Sequence, residues 1–340
     1  MIKQTGFTLI ELMLSLTLGL IITAAAILLF LAGQKSLSMQ QGVSDIQDNA
    51  NFGLNYLTND IRLANLNNPK AVINDQTAYG GIVLTSSANA ATDATGTKLS
   101  NIYRQVKGDN VAVGFLSGAK IGPSNVQVAG SDTKSDQLVI QYIPQYIKVG
   151  TKWEGGYDCE GNSLSFTDRQ VVVQRYFLRK DDKNDPKEPN EPLALACAAG
   201  HYPVDPAKPA AATDPLPDMA ITGYGNTGEI IMKRVDHLRV LLNIQDDTVT
   251  PPAASRRYIS VNDYMALTAP RPRIVAVQLG ILARSAQPVG AESSIKDDQK
   301  FIVLDQTVTV KKPQAGSPKY IRQVVSQTIA LRNVIGGRGS

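Results

Sequence analysis

From Leu12 to Ala32 the chain runs for 21 residues without a charge, the length that crosses a bilayer as a single α-helix. Lys3 precedes this run and predicts a cytoplasmic N-terminus, so everything after Ala32 is expected to face an oxidising compartment. Both cysteines, Cys159 and Cys197, lie there. A disulfide is the expected state, the alternative being two buried thiols. Closing a loop of about 39 residues is worth roughly 4 kcal/mol on the chain-entropy account, less any native strain.

After Gln34 the pattern turns amphipathic. Val43, Ile46, Ala50, Leu54, Leu57, Ile61 and Ala64 recur at spacings of three or four, which gives a helix one apolar face. The first proline is Pro69, and Asn65-Leu66-Asn67-Asn68-Pro69 is a stop signal. Phe7 to about Leu66 therefore reads as one helix or two collinear ones, roughly 90 Å long. No proline falls in its embedded half, and Gly19, Gly33 and Gly42 are the candidate weak points.

Beyond Pro69 the chain reads as strands separated by turns and polar loops. The expected strands cover 81–85, 111–116, 137–147, 171–178, 229–235, 238–244, 273–282, 301–310 and 320–331. Alternation suits a sheet with one covered face, with Val275, Val277, Leu279 and Ile281 on one side. Three segments, 86–98, 181–192 and 201–219, read as surface loops. The expected organisation is a leader over 1–6, a transmembrane helix over 7–34, an amphipathic continuation over 35–68 and a β-rich head over 69–340.

Met1-Ile2-Lys3-Gln4-Thr5-Gly6-Phe7-Thr8-Leu9-Ile10-Glu11-Leu12 resembles the N-terminal signal of type IV pilins and type II secretion pseudopilins. The resemblance implies that a prepilin peptidase cuts after Gly6 and that Phe7 becomes the N-methylated first residue. Glu11 stands at the mouth of the apolar run, where a carboxylate costs about 2.5–3.5 kcal/mol on insertion scales. By resemblance, its charge answers the Phe7 amine of a neighbouring subunit in a filament. A secretory signal peptide fits neither the run length nor Glu11. A plain signal anchor leaves Gly6-Phe7-Thr8 and Glu11 unexplained.

Further along, the stretches 60–64, 136–142, 174–178, 235–242, 275–285 and 321–333 resemble PilW-like minor pilins, with Asn65 standing where such proteins often carry glycine. What this implies is an α+β, pilin-like fold: a long helix packed on an antiparallel β-sheet head with long loop insertions. The implied function is that of a minor pilin in a tip or priming complex, supporting adhesion, twitching motility or DNA uptake. Its partners would be prepilin peptidase, other minor and major pilins, the inner-membrane assembly platform and a tip adhesin. Before assembly the chain would sit in the inner membrane with its head in the periplasm, and afterwards in the fibre at the cell surface. The alternatives are a J-type minor pseudopilin of type II secretion and a DNA-binding pilus component.

Other chemistry is thinly represented. No nucleophile elbow, zinc-helix motif or phosphate loop occurs, no cofactor is implied, and the chain does not read as an enzyme. His201 and His237 read as surface or strand-end residues. Asp181, Asp182 and Asp185 form a weak calcium candidate whose spacing fails an EF-hand. Net charge is only +4, which excludes a general polyanion binder, although six basic residues and no acidic one follow Gln306. Of these, Lys311, Lys312, Lys319 and Arg322 are the ones DNA would use; the plainer reading is a lysine-guarded strand edge. Trp153 and Tyr157 read as an aromatic cover over a small core beside Cys159, or else as a contact surface.

Overall fold

The structure is a computed structural model that describes residues 6, 8–90, 99–102, 105–106, 109–183, 188–204, 220–251, 255–289, 295–296, 298–314 and 316–334. One helix, α1, runs from Leu9 to Ile61 without a break, about 80 Å at 1.5 Å per residue. It ends earlier than its apolar spacing predicts. The Asn65 amide hydrogen-bonds to the Gln141 carbonyl at 3.1 Å rather than to the preceding helical turn. Asn65 and Asn67 take φ of 65° and 54°, a left-handed conformation that asparagine tolerates better than most residues.

Two antiparallel sheets of the head pack against α1. The first has the order Glu229–Lys233, Leu193–Pro203, Gln170–Lys180, Ser135–Tyr142 and Gly118–Gly122. The second has the order Arg257–Ser260, Val235–Gln245, Arg273–Arg284 and Arg322–Ala330. The chain passes from the first to the second at Arg234, whose φ is 58°. Side chains also stitch the two together: Ser135 Oγ accepts from the Leu238 amide at 3.2 Å, and Asp136 Oδ2 accepts from the Val240 amide at 2.9 Å.

The second half of α1 lies along Glu229–Lys233 of one sheet and Arg273–Arg284 and Arg322–Ala330 of the other. Ile46, Leu54, Leu57 and Ile61 share a single core with Leu195 and Met232 of the first sheet and Leu242, Val277 and Ile329 of the second. Each such side chain contributes about 1.5–3 kcal/mol by leaving water, so the apolar stripe of α1 holds the helix to both sheets at once. Gly42 and Gly53 serve this approach. A Cβ at Gly42 would stand 3.0 Å from Val289 Cγ1, and one at Gly53 would stand 3.1 Å from Met232 Cβ. Gly42 is thus a packing position in an intact helix rather than a weak point.

Several expectations from the sequence are corrected. The Ser135–Tyr142 and Gln170–Lys180 strands have both faces covered, because Val139, Val171 and Val173 pack outward against Val83, Ile102 and Tyr224. An irregularity in register falls between the pairs Asn243↔Ala276 and Ile244↔Ile274. It turns Ile274 rather than Val275 into the main core beside Val277 and Leu279, as a β-bulge does. Segment 111–116 holds a 3-10 turn, Val113–Phe115, in place of a strand. Within 81–85 only Ile82 forms a bridge, to Ile140.

Leu193–Pro203 is an 11-residue strand that the sequence reading missed, and His201 belongs to it rather than to a loop, 4.4 Å from the Phe166 ring. Trp153 and Tyr157 lie on a three-stranded flap formed by Ile147–Val149, Lys152–Tyr157 and Ser163–Phe166. Lys148 and Arg169 flank the Trp153 ring at 5.6 and 5.8 Å, and Tyr157 is 73% exposed, so the pair covers no core.

Candidate functional site

Two regions of α1 carry the functional reading: its start, and its junction with the head. At the start, Thr8 caps the helix. Its Oγ1 accepts from the Glu11 amide at 3.3 Å, and Glu11 Oε2 accepts from the Thr8 amide at 3.1 Å and from Thr8 Oγ1 at 2.9 Å. This is a reciprocal capping box, and it fixes the Glu11 carboxylate at the first turn. Gly6, just before it, is exposed. Phe7 lies outside the described residues.

Leu9, Ile10, Leu12, Met13 and Phe30 are each more than half exposed, as are the other large apolar residues as far as Leu37. The head covers none of the apolar run. A core helix of a soluble protein would be sheathed by its own fold, so this half needs a bilayer or other subunits around it. It is the one helix, among the described residues, long and apolar enough to cross a membrane.

At the junction, hydrogen bonds reinforce the apolar stripe. Asn49 Nδ2 donates to the Lys233 carbonyl at 2.8 Å, and Tyr56 Oη donates to the Cys159 carbonyl at 3.1 Å. Cys159 is disulfide-bonded to Cys197, with Cα atoms 6.1 Å apart. The bridge ties the flap turn to the Leu193–Pro203 strand directly beneath α1. In the last helical turn, Tyr176 Oη donates to Asp60 Oδ2 at 2.9 Å. Burial pushes the Asp60 carboxyl up to about 6, against the lowering effect of the Tyr176 hydrogen bond.

Residues 1–27 match the Prokaryotic N-terminal methylation motif, and residues 208–333 match Type IV Pilus-assembly protein W. In these two stretches the chain is similar to PilW-like type IV pilins. A type IV-like pilin from Thermus thermophilus is similar at 12% identity over 65% of this chain and 88% of that one, with a TM-score of 0.25, too low to bear on the fold. A comparison with curated proteins finds no match. The motif implies processing by prepilin peptidase and interaction with other pilins, and with the apolar helix it fits a membrane-anchored pilin that takes part in pilus assembly.

Charged residues of this PilW-like chain that read as surface are in part internal. In the 181–192 segment, Asp181 Oδ2 meets Arg234 Nη1 at 2.8 Å, and Glu188 bridges Arg234 Nη2 at 2.6 Å to Arg284 Nη2. Arg284 is 1% exposed, and the segment closes the corner where the chain changes sheets. The oxygens of Asp181 are thus taken by Arg234 and by the Lys183 amide at 3.1 Å. Asp182 is exposed, 3.9 Å from Arg179, and Asp185 lies outside the described residues. Among the described residues, no group of three or more His, Cys, Asp or Glu side chains could hold a metal ion.

The basic strip loses a member in the same way. Arg322 Nε pairs with Asp236 Oδ2 at 2.6 Å, and Arg322 Nη2 donates to Asn190 Oδ1 at 2.8 Å. With a side chain 6% exposed it cannot reach a phosphate. Lys311 pairs with Asp132 at 3.0 Å, and Arg338 lies outside the described residues. His237 is fully buried in the Val235–Gln245 strand, its Nδ1 2.9 Å from Ser124 Oγ and 3.3 Å from Ser135 Oγ. Ser124 is buried as well, so the contact lies inside the head.

Sequence reasoning missed Arg234, Glu188 and Arg284. A signal for such a network was present in Val235-Asp236-His237-Leu238-Arg239-Val240, where three polar side chains interrupt a strand too apolar to be exposed.

Proposed function

We propose that this chain is a minor pilin released from its leader by cleavage after Gly6, with Phe7 as the methylated first residue. The observation that carries this reading is the bare apolar half of α1, which begins at a capped helix start bearing one fixed carboxylate, Glu11. Held in the inner membrane with its head in the periplasm, the chain passes into a filament when neighbouring subunits replace lipid around that half. Glu11 then faces the Phe7 amine of an adjacent subunit, and the opposite charges offset the cost of placing either in an apolar layer.

The head, joined rigidly to α1 through both sheets, presents its outer loops to sibling minor pilins in a tip or priming complex. Adhesion, twitching motility or DNA uptake would follow from that position. Mass spectrometry of the chain from cells tests the first step: a mature polypeptide starting at Phe7 is expected, and any other start overturns the reading. Crosslinking from cysteines placed on the exposed flap, at Val149 or Tyr157, tests the second: adducts with other minor pilins are expected, and adducts with none of them would remove the tip-complex role.

A further inference from the structure

The Arg322–Ala330 strand is one edge of the four-stranded sheet, and its register with Arg273–Arg284 runs unbroken from Arg284↔Arg322 to Ala276↔Ala330. The ladder continues past both ends: the Ser285 amide donates to the Ile321 carbonyl at 2.9 Å, and the Leu331 amide to the Val275 carbonyl at 3.0 Å. In an antiparallel pair, residues that bond to the neighbouring strand alternate with residues whose N–H and C=O point away from it. Ile321 and Leu331 bond inward, so Val324, Ser326, Thr328 and Ala330 turn their backbone groups out of the sheet edge. Among the described residues no hydrogen bond reaches those groups, and Ser326, Thr328 and Ala330 are exposed.

The other edges of the two sheets are guarded. Arg257–Ser260 is four residues long and starts with an exposed cation. Glu229–Lys233 carries a charge at each end, and Asn49 donates to its Lys233 carbonyl. Gly118–Gly122 is broken in register and holds Lys120 at a φ of 59°. Arg322–Ala330 has no proline, no bulge and no charge after Arg322, and Lys311, Lys312 and Lys319 all precede it. A long, regular, unguarded edge is a template for a strand from another chain.

Direction limits which strand can add. Arg322–Ala330 runs the same way as α1, away from the membrane: a Cβ at Gly42 would stand 3.5 Å from Ile321 Cδ1, and Asn333 caps the Arg62 and Ala64 carbonyls. An antiparallel newcomer therefore runs toward the membrane. Pairing this strand with its own copy would point the two α1 helices in opposite directions, which subunits inserted alike in one membrane cannot do. In an upright second copy the Arg257–Ser260 edge has the right direction, because three antiparallel steps separate it from Arg322–Ala330. It would bring Arg256 and Arg257 first to Arg332, a like charge that is exposed and pairs with no acid among the described residues. We propose that Arg322–Ala330 accepts an uncharged strand from the head of a different pilin, entering antiparallel with an acidic side chain at its start, beside Arg332. The proposal rests on the minor-pilin reading, which supplies the shared membrane.

A photo-crosslinking residue placed at Ser326, and separately at Thr328, of the full chain in cells that assemble pili tests it. Both positions should capture another pilin. Moving the probe from 326 to 328 should shift the captured site about two residues toward the partner's N-terminus, as antiparallel pairing requires. Thr328→Lys guards the edge, and Thr328→Pro removes an N–H that the sheet itself does not use; each should cut capture from position 326 about tenfold. Capture of a second copy or of this chain's own segments, or a captured site that moves the other way, overturns the proposal. So does failure to capture a pilin when the chain starts at Phe7 and is recovered in pili. A chain that starts elsewhere brings down the minor-pilin reading itself, and the strand pairing with it.

Discussion

Asn65 and Asn333 hold each other across the end of α1. Asn65 Nδ2 donates to the Asn333 carbonyl at 3.2 Å, and Asn333 Nδ2 reaches back to the carbonyls of Arg62 and Ala64 at 3.2 and 3.0 Å. A helix ends with carbonyls that lack partners, and here a residue from the far end of the chain caps them. Asn65 Oδ1 also accepts from the Gly81 amide at 3.1 Å, so one side chain links the helix end, the segment that starts at Gly81 and the C-terminal segment. Glycine at position 65 would meet the φ requirement but supply none of these bonds.

Removing the Asn333 amide should therefore destabilise more than a typical surface change. Asn333→Ala leaves two carbonyls at a buried helix end without their donor, and the expected loss is about 1–3 kcal/mol. Denaturant unfolding of the full chain in detergent, followed by protease sensitivity near residue 62, checks it. Unchanged stability with protease resistance retained would mean that water replaces the amide without penalty.

The disulfide is the second fixed point beneath α1. Cys159 and Cys197 are 38 residues apart, and replacing both with alanine should cost about 2–5 kcal/mol through freedom regained by the unfolded chain. The Cys159 carbonyl that receives Tyr56 Oη belongs to the same turn, so the flap should also loosen locally. A thermal scan with and without reductant, compared with the double variant, measures the first effect; hydrogen exchange over 147–166 measures the second. A reduced chain that melts with the oxidised one would count against both.

His237 should make the head sensitive to acid. Burial lowers its imidazole to about 4 from an ordinary 6.5. The folded value is the lower one, so the stability it confers is present above pH 6.5 and is lost as pH falls through about 4. The full span corresponds to about 3 kcal/mol. His237→Gln, which keeps a polar group but cannot take up a proton, should melt with less loss between pH 6.5 and pH 4.5 than wild type. Equal slopes in the two proteins would show that the folded imidazole takes up its proton as readily as the unfolded one. Asp60 acts in the opposite direction over an overlapping range, so the wild-type profile is shallower than either group alone would make it.

Local patterns were legible and distant pairings were not. The uncharged run, the apolar stripe of α1 and the asparagine-rich stop are periodic or contiguous, and the structure differs from them only where the Asn65 amide finds Gln141, far away in the chain. Leu193–Pro203 escaped notice because Leu-Ala-Leu-Ala-Cys-Ala-Ala-Gly carries little β-propensity and becomes a strand by being covered on both sides. The acidic 181–192 segment looked solvent-bound because the partners of Asp181 and Glu188, Arg234 and Arg284, stand 46 to 96 residues away. At Val275 a bulge reversed the alternation, and nothing within the strand announces it. Of the proposed site, the Thr8–Glu11 spacing was in plain view, whereas its use as a cap needed coordinates.

That cap gives Glu11 two separable tasks. Its carboxylate closes the first turn of α1 by accepting from Thr8, and under the proposed function it also carries the charge that meets the Phe7 amine of a neighbour. Glutamine can serve in a capping box as glutamate does, but it is neutral. Glu11→Gln should therefore keep the helix start and be cleaved after Gly6 at the normal rate, yet enter filaments poorly. Glu11→Ala loses both tasks and should fray at Thr8 as well. Cleavage is read from the mass of the mature chain, and incorporation from the amount of chain recovered in sheared pili. If Glu11→Gln enters filaments as well as wild type while Glu11→Ala does not, the side chain acts as a helix cap alone, and the charge pairing between subunits falls.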